Sequence, residues 1–315
     1  MSLFKKIKVT KDGIYLLDPE YRKKFNKLTL SPSNINAWLA SPADFILDKF
    51  ILDEVSEREA PHFIRGKWFH STMEEFYKVP PEDRNLKTLF KTAKKVTSME
   101  DYYEFSKDIE NQEWYKRALN GYVNLMLKDS PKEKVASLPI LGSNQEGLEL
   151  RIMGKIADTK RNCFGYIDKI IEGETGLIIQ DWKTGASIHD YNPNLKISDS
   201  NPFDYWRQQT LYSMLLEKEG ATIENTSLIF PLASPPQFVY IDQKNSRVRE
   251  QVLNDVIQVD KEMTEAVEKD YFFPFKRGKY NGWSSWLGGL GSARKPDVIE
   301  PKFFALADLS EIGFK

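Results

Sequence analysis

The sequence predicts an α/β chain with a helical N-terminal elaboration, and three observations carry that expectation. Through residues 1–135 the long apolar runs recur at helical spacing, separated by proline and serine. From Pro139 the texture changes to short β-branched runs divided by glycine-containing turns. Two further amphipathic runs, residues 203–219 and 248–267, then alternate with strand candidates at 226–230 and 237–241. Three regions follow: a mainly helical 1–135, an α/β core at 136–270, and an irregular tail at 271–315 rich in Trp and Gly that packs on the core through Trp283 and Trp286.

Taken in order, the segment up to Lys27 is an extended or hairpin piece followed by a basic linker. Ser33 can cap a short helix with Ile35, Trp38 and Leu39 inward. Ser41-Pro42 starts another, a serine cap followed by proline in the first turn. Gly66 to Val79 places Phe69, Met73 and Phe76 on one buried stripe, with His70 at its edge and Glu74 one turn on. Pro80-Pro81 ends that helix, and a basic helix follows from Leu86 to Val96. Between Asn111 and Lys128, Trp114, Ala118, Leu119, Tyr122, Val123, Met126 and Leu127 make a wide apolar face. Residues 147–153 alternate as a strand, with Glu149 opposite Leu148 and Leu150. Residues 189–202 form a polar loop with Asn-Pro twice, and the helix after it, ending at Gly220, carries Gln208 and Tyr212 one turn apart.

The chemistry concentrates in GYIDKIIEGETGLIIQDWKTG, Gly165 to Gly185. Two β-rich runs around a Gly-containing turn form a hairpin. Side chains two apart on a strand share a face, so Asp181 and Lys183 point the same way and Asp168 can meet them from the partner strand. Two carboxylates and a lysine at one end of a hairpin can cradle a divalent cation and a phosphate, because hard cations take carboxylate and phosphate oxygens. The same triple could equally be a surface hairpin in which Lys183 pairs with a neighbouring acid.

Composition narrows the setting. Among 315 residues there is one cysteine, Cys163, which excludes an internal disulfide and any four-cysteine metal site, and implies an intracellular location. No apolar run approaches the ~18–20 residues that span a membrane, and the first residues lack a secretion signal. The net charge of −1 neither favours nor excludes nucleic acid as a partner.

These pieces together resemble the RecB-type branch of the PD-(D/E)xK nuclease superfamily. The ordered matches are Ser-Pro-Ser with an aromatic helix and a second Ser-Pro, Gly66 to His70, Gly165 to Asp168, Asp181-Trp-Lys183-Thr-Gly, and Gln208 to Tyr212. The resemblance implies a restriction-endonuclease-like core, a mixed central sheet flanked by helices. It implies a divalent-metal-dependent deoxyribonuclease, exonuclease rather than endonuclease, standing alone in phage DNA metabolism, recombination or repair. Asp168, Asp181, His70 and the Trp182 carbonyl would hold Mg²⁺ or Mn²⁺, with Glu149 as a further acid and Glu146 as its alternative. Lys183 would position the attacking water; Gln208, Tyr212 and Arg207 would support the site or hold the DNA backbone. A helicase or a recombination or annealing protein would be the partner, since no Walker loop occurs here. The setting would be the cytoplasm of a bacterial or phage-infected cell.

Two features depart from relatives that bind a four-cysteine iron–sulphur cluster. Ser41 occupies the Cys-Pro position and Trp283-Ser-Ser-Trp286 stands where a Cys-x-x-Cys would, so no iron–sulphur cluster is expected. The alternative to a nuclease is a catalytically silent nuclease fold that binds DNA or scaffolds a partner. Against it stands the joint presence of His70, Asp168, Asp181, Lys183 and Gln208. The oligomeric state has no signature in the sequence.

Overall fold

The computed structural model describes residues 6–10, 12–52, 61–127, 133–138, 146–184 and 200–275. Trp283, Trp286 and most of the loop at 189–202 lie outside them. An acceptor side chain followed directly by proline opens three helices near the N-terminus: α1 (Pro19–Asn26), α2 (Pro32–Ala40) and α3 (Pro42–Ile46). Asp18, Ser31 and Ser41 accept backbone N–H bonds from two or three residues on, while proline fills the first helical position without leaving an N–H unpaired. Two expectations are corrected here. The cap of α2 is Ser31 rather than Ser33, because Pro32 sets the first turn and Ser33 already lies inside it. The segment expected to be a basic linker is α1, which buries Tyr21 and Phe25, one turn apart.

The chain divides into two units. The first comprises Met1–Arg58, Lys155–Cys163 and Leu253–Lys315. It holds a small antiparallel sheet in the order β1 (Ile7–Val9), β2 (Gly13–Leu16), β8 (Phe272–Pro274). The strand β8 lies where the sequence predicts an irregular tail, because three residues are too few to show a period. Trp38 anchors this unit, with Phe25, Phe45 and Phe273 around its ring and its indole N–H donating to Glu262 Oε2 at 2.8 Å. Asp260 accepts the backbone N–H groups of Lys160 and Arg161, fixing the segment 155–163.

The second unit comprises Glu59–Gly154 and Phe164–Val252. Its five-stranded mixed sheet runs β3 (Leu148–Gly154), β4 (Cys163–Glu172), β5 (Leu177–Trp182), β6 (Ile223–Phe230), β7 (Gln237–Ile241). The pairs β4–β5 and β6–β7 are antiparallel, whereas β5–β6 is parallel. Parallel neighbours need a crossover, and helix α7 (Ser200–Lys218) lies in it. Helices α4 (Pro61–Tyr77), α5 (Leu86–Thr97) and α6 (Ile109–Tyr122) share a core with Trp182 and Ile229. Leu228 and Phe230 alternate with Ile229 on β6 and pack with Tyr205 and Trp206 of α7, so the sheet is covered on both faces. Gly121 of α6 sits so close to the Pro231 carbonyl that a Cβ would meet its oxygen at 1.7 Å; no side chain fits there. The last long helix, α8 (Ser246–Glu268), is divided between the units. Among the described residues no helix is long and apolar enough to cross a membrane.

Behind the β4–β5 hairpin lies a buried ionic network. Lys169, fully enclosed, places Nζ 2.6 Å from Glu133 Oε2 and 3.8 Å from the Tyr77 ring centroid. Gln180, its register partner on β5, donates to the other Glu133 oxygen at 3.4 Å, and Tyr77 donates its hydroxyl to Glu133 at 3.0 Å. One carboxylate thus spans the backs of both strands. Replacing a single member of a buried pair strands the other charge, a loss of ~3–5 kcal/mol, whereas replacing both can be nearly neutral. Denaturant unfolding is therefore expected to show Lys169→Met strongly destabilised, with Glu133→Gln in the same chain recovering most of the loss. A single variant as stable as the parent would show that the pair does not hold the hairpin.

Candidate active site

The register Lys169↔Gln180 sets Asp168 and Asp181 one step further along their strands, both buried. Asp168 Oδ2 accepts the Trp182 backbone N–H at 2.7 Å, tying β4 to the end of β5. Lys183 follows directly, its own N–H bonded to Ile229 O at 2.8 Å so that it continues the line of the strand. Its Nζ forms an ion pair with Asp181 Oδ2 at 2.6 Å and donates to Gln208 Oε1 at 2.7 Å. Gln208 Nε2 in turn donates to Asp181 Oδ1 at 2.9 Å and to Tyr212 Oη at 3.2 Å. The amide orientation is dictated by chemistry, since an ammonium only donates and a carboxylate only accepts.

A second group adjoins the first. The α4 stripe of Phe69, Met73 and Phe76 is fully buried, which brings His70 at its edge to the sheet. His70 Nε2 lies 3.0 Å from Trp182 O, and Nδ1 lies 3.5 Å from Asp168 Oδ1 and 3.8 Å from Glu149 Oε1. Glu149 reaches this position through a left-handed backbone, φ +45°, in the second residue of β3. Leu148 packs with the α4–α6 core, whereas Gly154 abuts Leu215 of α7, and alternation puts Leu150 and Ile152 on that same side. The expectation that Leu148 and Leu150 share a face is thus corrected, because the ladder switches at Glu149.

One nitrogen and two carboxylate oxygens from His70, Glu149 and Asp168 lie within 4.8 Å of one another. Glu149 Oε1 is buried with no hydrogen-bond partner. An imidazole with two carboxylates, one oxygen otherwise unanswered, suits a divalent cation such as Mg²⁺ or Mn²⁺. Burial pulls the His70 pKa down, but Asp168 and Glu149 outweigh it and lift it to about 10. Asp168 is held below the usual carboxylate range, because His70, Lys183 and the Trp182 N–H outweigh its burial. Asp181 is pushed up to about 6 by burial and by the Asp168 charge, against the pull of Lys183. Lys183 is raised, since Asp181 and Asp168 overcome its desolvation, and it stays an ammonium at neutral pH.

Compared with known proteins, the chain matches the PD-(D/E)XK nuclease superfamily over residues 29–280. It belongs to that superfamily. Among solved structures it is similar to that of a putative exonuclease from Eubacterium rectale, with a TM-score of 0.50 and 12% identity, covering 82% of this chain and 88% of the other. No curated protein matches it.

Within this nuclease fold the structure gathers His70, Glu149, Asp168, Asp181, Lys183, Gln208 and Tyr212 from α4, β3, β4, β5 and α7. Asp181 stands with Lys183 and Gln208 rather than in the His70 group, and the Trp182 carbonyl is engaged by His70. Glu146 is exposed and stays apart from them. Arg207 does not join them either: it is buried, with its guanidinium 2.9 Å from Asp204 Oδ1. Tyr212 is buried against Gly165, where a Cβ would meet its ring at 2.2 Å. Glu133 escaped the sequence reading because it belongs to no motif; Lys169, a charge inside the apolar run Ile167 to Ile171, was the one visible sign of it.

The direction of the His70 shift sets a pH dependence. In protein stripped of divalent ions by a chelator, the stability conferred by His70 is expected to be complete below about pH 6.5 and to fall as pH rises through about 10. NMR titration of the ring checks this directly, and adding Mg²⁺ near pH 7.5 is expected to expel about one proton. A His70 ring titrating at its ordinary value would show that the carboxylates do not hold it.

Proposed function

We propose that the chain is a divalent-metal-dependent deoxyribonuclease of the RecB-type branch, hydrolysing DNA phosphodiester bonds from an end. The observation that carries this reading is the junction of two sets, His70–Glu149–Asp168 and Lys183–Asp181–Gln208, across one pair of strands. The donor atoms of the first set would hold Mg²⁺ or Mn²⁺, and Asp181 stands apart from them with Lys183 and Gln208. A bound metal supplies a more acidic water and offsets charge on the phosphate.

The residues of the chain divide the remaining work. Lys183, fixed as an ammonium, serves as a hydrogen-bond donor and positive charge beside the attacked phosphate; it cannot take a proton at neutral pH. Asp181, shifted up to about 6, is a carboxylate at neutral pH of the strength that accepts a proton from water. Gln208 holds both through one amide. Water oxygen bonds to phosphorus as the ester oxygen departs, and the departing oxygen takes a proton from solvent. The His70 helix belongs to the N-terminal region, and residues 136–270 supply the remaining groups. The similar structure carries the name of a putative exonuclease, which agrees with exonucleolytic action, and a role in recombination, repair or phage DNA metabolism beside a helicase or annealing protein fits a sequence in which no Walker loop occurs.

The test is cleavage of end-labelled linear double-stranded, linear single-stranded and closed circular DNA in Mg²⁺ and in Mn²⁺. Linear substrates are expected to be degraded and circles spared. Lys183→Ala and Asp181→Ala are each expected to lower the rate by ~10²–10³ or more with the fold intact. Full activity in either variant would remove this site from the chemistry, and no cleavage by the parent protein would leave a DNA-binding or scaffold role.

A further inference from the structure

Beyond the ligand cluster, β3 and β4 lead away through an exposed strip. Two residues past Glu149 on β3 stands Arg151, and two residues before Asp168 on β4 stands Tyr166. The strip is continuous: Arg151 Cζ lies 5.4 Å from the Phe164 ring centroid, and Phe164 meets Tyr166 edge to face at 5.2 Å. Tyr166 is 50% exposed and Met153 beside Arg151 is 49% exposed, although Ile167 to Ile171 are all buried. Among the described residues the Arg151 guanidinium has no ion-pair partner and the Tyr166 hydroxyl has no hydrogen bond. The strip is nonetheless firm, because the Tyr212 ring fills the space behind Gly165.

We infer that Tyr166, Phe164 and Arg151 form a stacking platform for unpaired bases of the DNA strand being cut, so that the site takes single-stranded DNA or a frayed end. The inference rests on the nuclease reading above. Aromatic faces and an arginine beside them suit bases of any sequence, whereas bases within a duplex keep their faces stacked on one another. An isolated exposed tyrosine would be unremarkable on any sheet; an aromatic pair with an unpaired cation, two residues from two candidate ligands on two strands, selects a polyanion with planar groups.

The test compares full-length parent, Tyr166→Ala, Tyr166→Phe and Arg151→Gln in binding a fluorescent thymidine 12-mer, the same strand made of abasic units, and a blunt duplex, all in chelator so that nothing is cleaved. The expected result is a loss of roughly five- to hundred-fold for Tyr166→Ala on the thymidine strand. Tyr166→Phe is expected to match the parent, the abasic strand to bind both Tyr166 variants as it binds the parent, and Arg151→Gln to weaken the thymidine strand. Hydrolysis of the abasic strand in Mg²⁺, which offers no planar group, is expected to be unchanged in Tyr166→Ala. Equal thymidine-strand affinity in Tyr166→Ala and parent would overturn the platform, as would equal weakening on the duplex or no single-strand binding by the parent. A parent that cleaves DNA while Tyr166→Ala binds normally overturns the platform alone; a parent inert toward every substrate overturns the nuclease reading separately.

Discussion

The antiparallel pairing of β4 with β5 puts Asp168 and Asp181 side by side in the interior, and much of the surrounding structure answers the repulsion between them. Neither acid can rely on water, so each is matched by fixed groups. Asp168 takes the Trp182 N–H and the field of His70; Asp181 takes Lys183 and the Gln208 amide. The matching is unequal, and the two acids separate in strength: Asp168 is held ionised while Asp181 moves toward neutrality. That separation lets one carboxylate serve as a permanent negative ligand and the other exchange protons.

The same pairing carries charge on its reverse. Lys169 and Gln180, neighbours in sequence of the two acids, both reach Glu133. Since adjacent side chains on a strand point to opposite faces, the hairpin is gripped from behind by one carboxylate while its front faces present two. A slip of one residue in this register would exchange the faces and place Lys169 in the site and Asp168 among the aromatic rings of Tyr77 and Trp182. The rear network therefore acts on the front geometry through register, with no contact to any reacting group.

Much of this was legible in the sequence for physical reasons. Long helices announce themselves by a repeating apolar stripe, as Phe69, Met73 and Phe76 do, and hairpins by β-branched runs around a turn. Asp181 and Lys183 could be grouped because strand alternation is local. What escaped was either too short to have a period, such as Phe272–Pro274, or distant in sequence, such as Glu133 beneath Lys169. The Arg207 guanidinium illustrates a third limit. The resemblance implied a DNA contact for Arg207 beside Gln208, but consecutive helical residues point about 100° apart, and the Arg207 side chain is buried with its guanidinium on Asp204.

Glu149 shows most sharply where pattern ends and backbone begins. The resemblance put Glu149 first and Glu146 second without fixing the register, and uniform alternation along β3 assigned Leu148 and Leu150 to a single face. The chain instead passes through φ +45° at Glu149, a conformation that a residue with a side chain adopts only when its surroundings hold it there, at a cost of order 1–3 kcal/mol. The holding groups are visible on both sides, with Leu148 in the α4–α6 core and the following residues against α7. The switch leaves the Glu149 carboxylate beside His70 and Asp168, with one oxygen buried 3.8 Å from His70 Nδ1 and without a hydrogen bond. Strain in the backbone and an unanswered oxygen in the same residue are both costs to folding, and a cation accepted by His70, Glu149 and Asp168 would offset both at once.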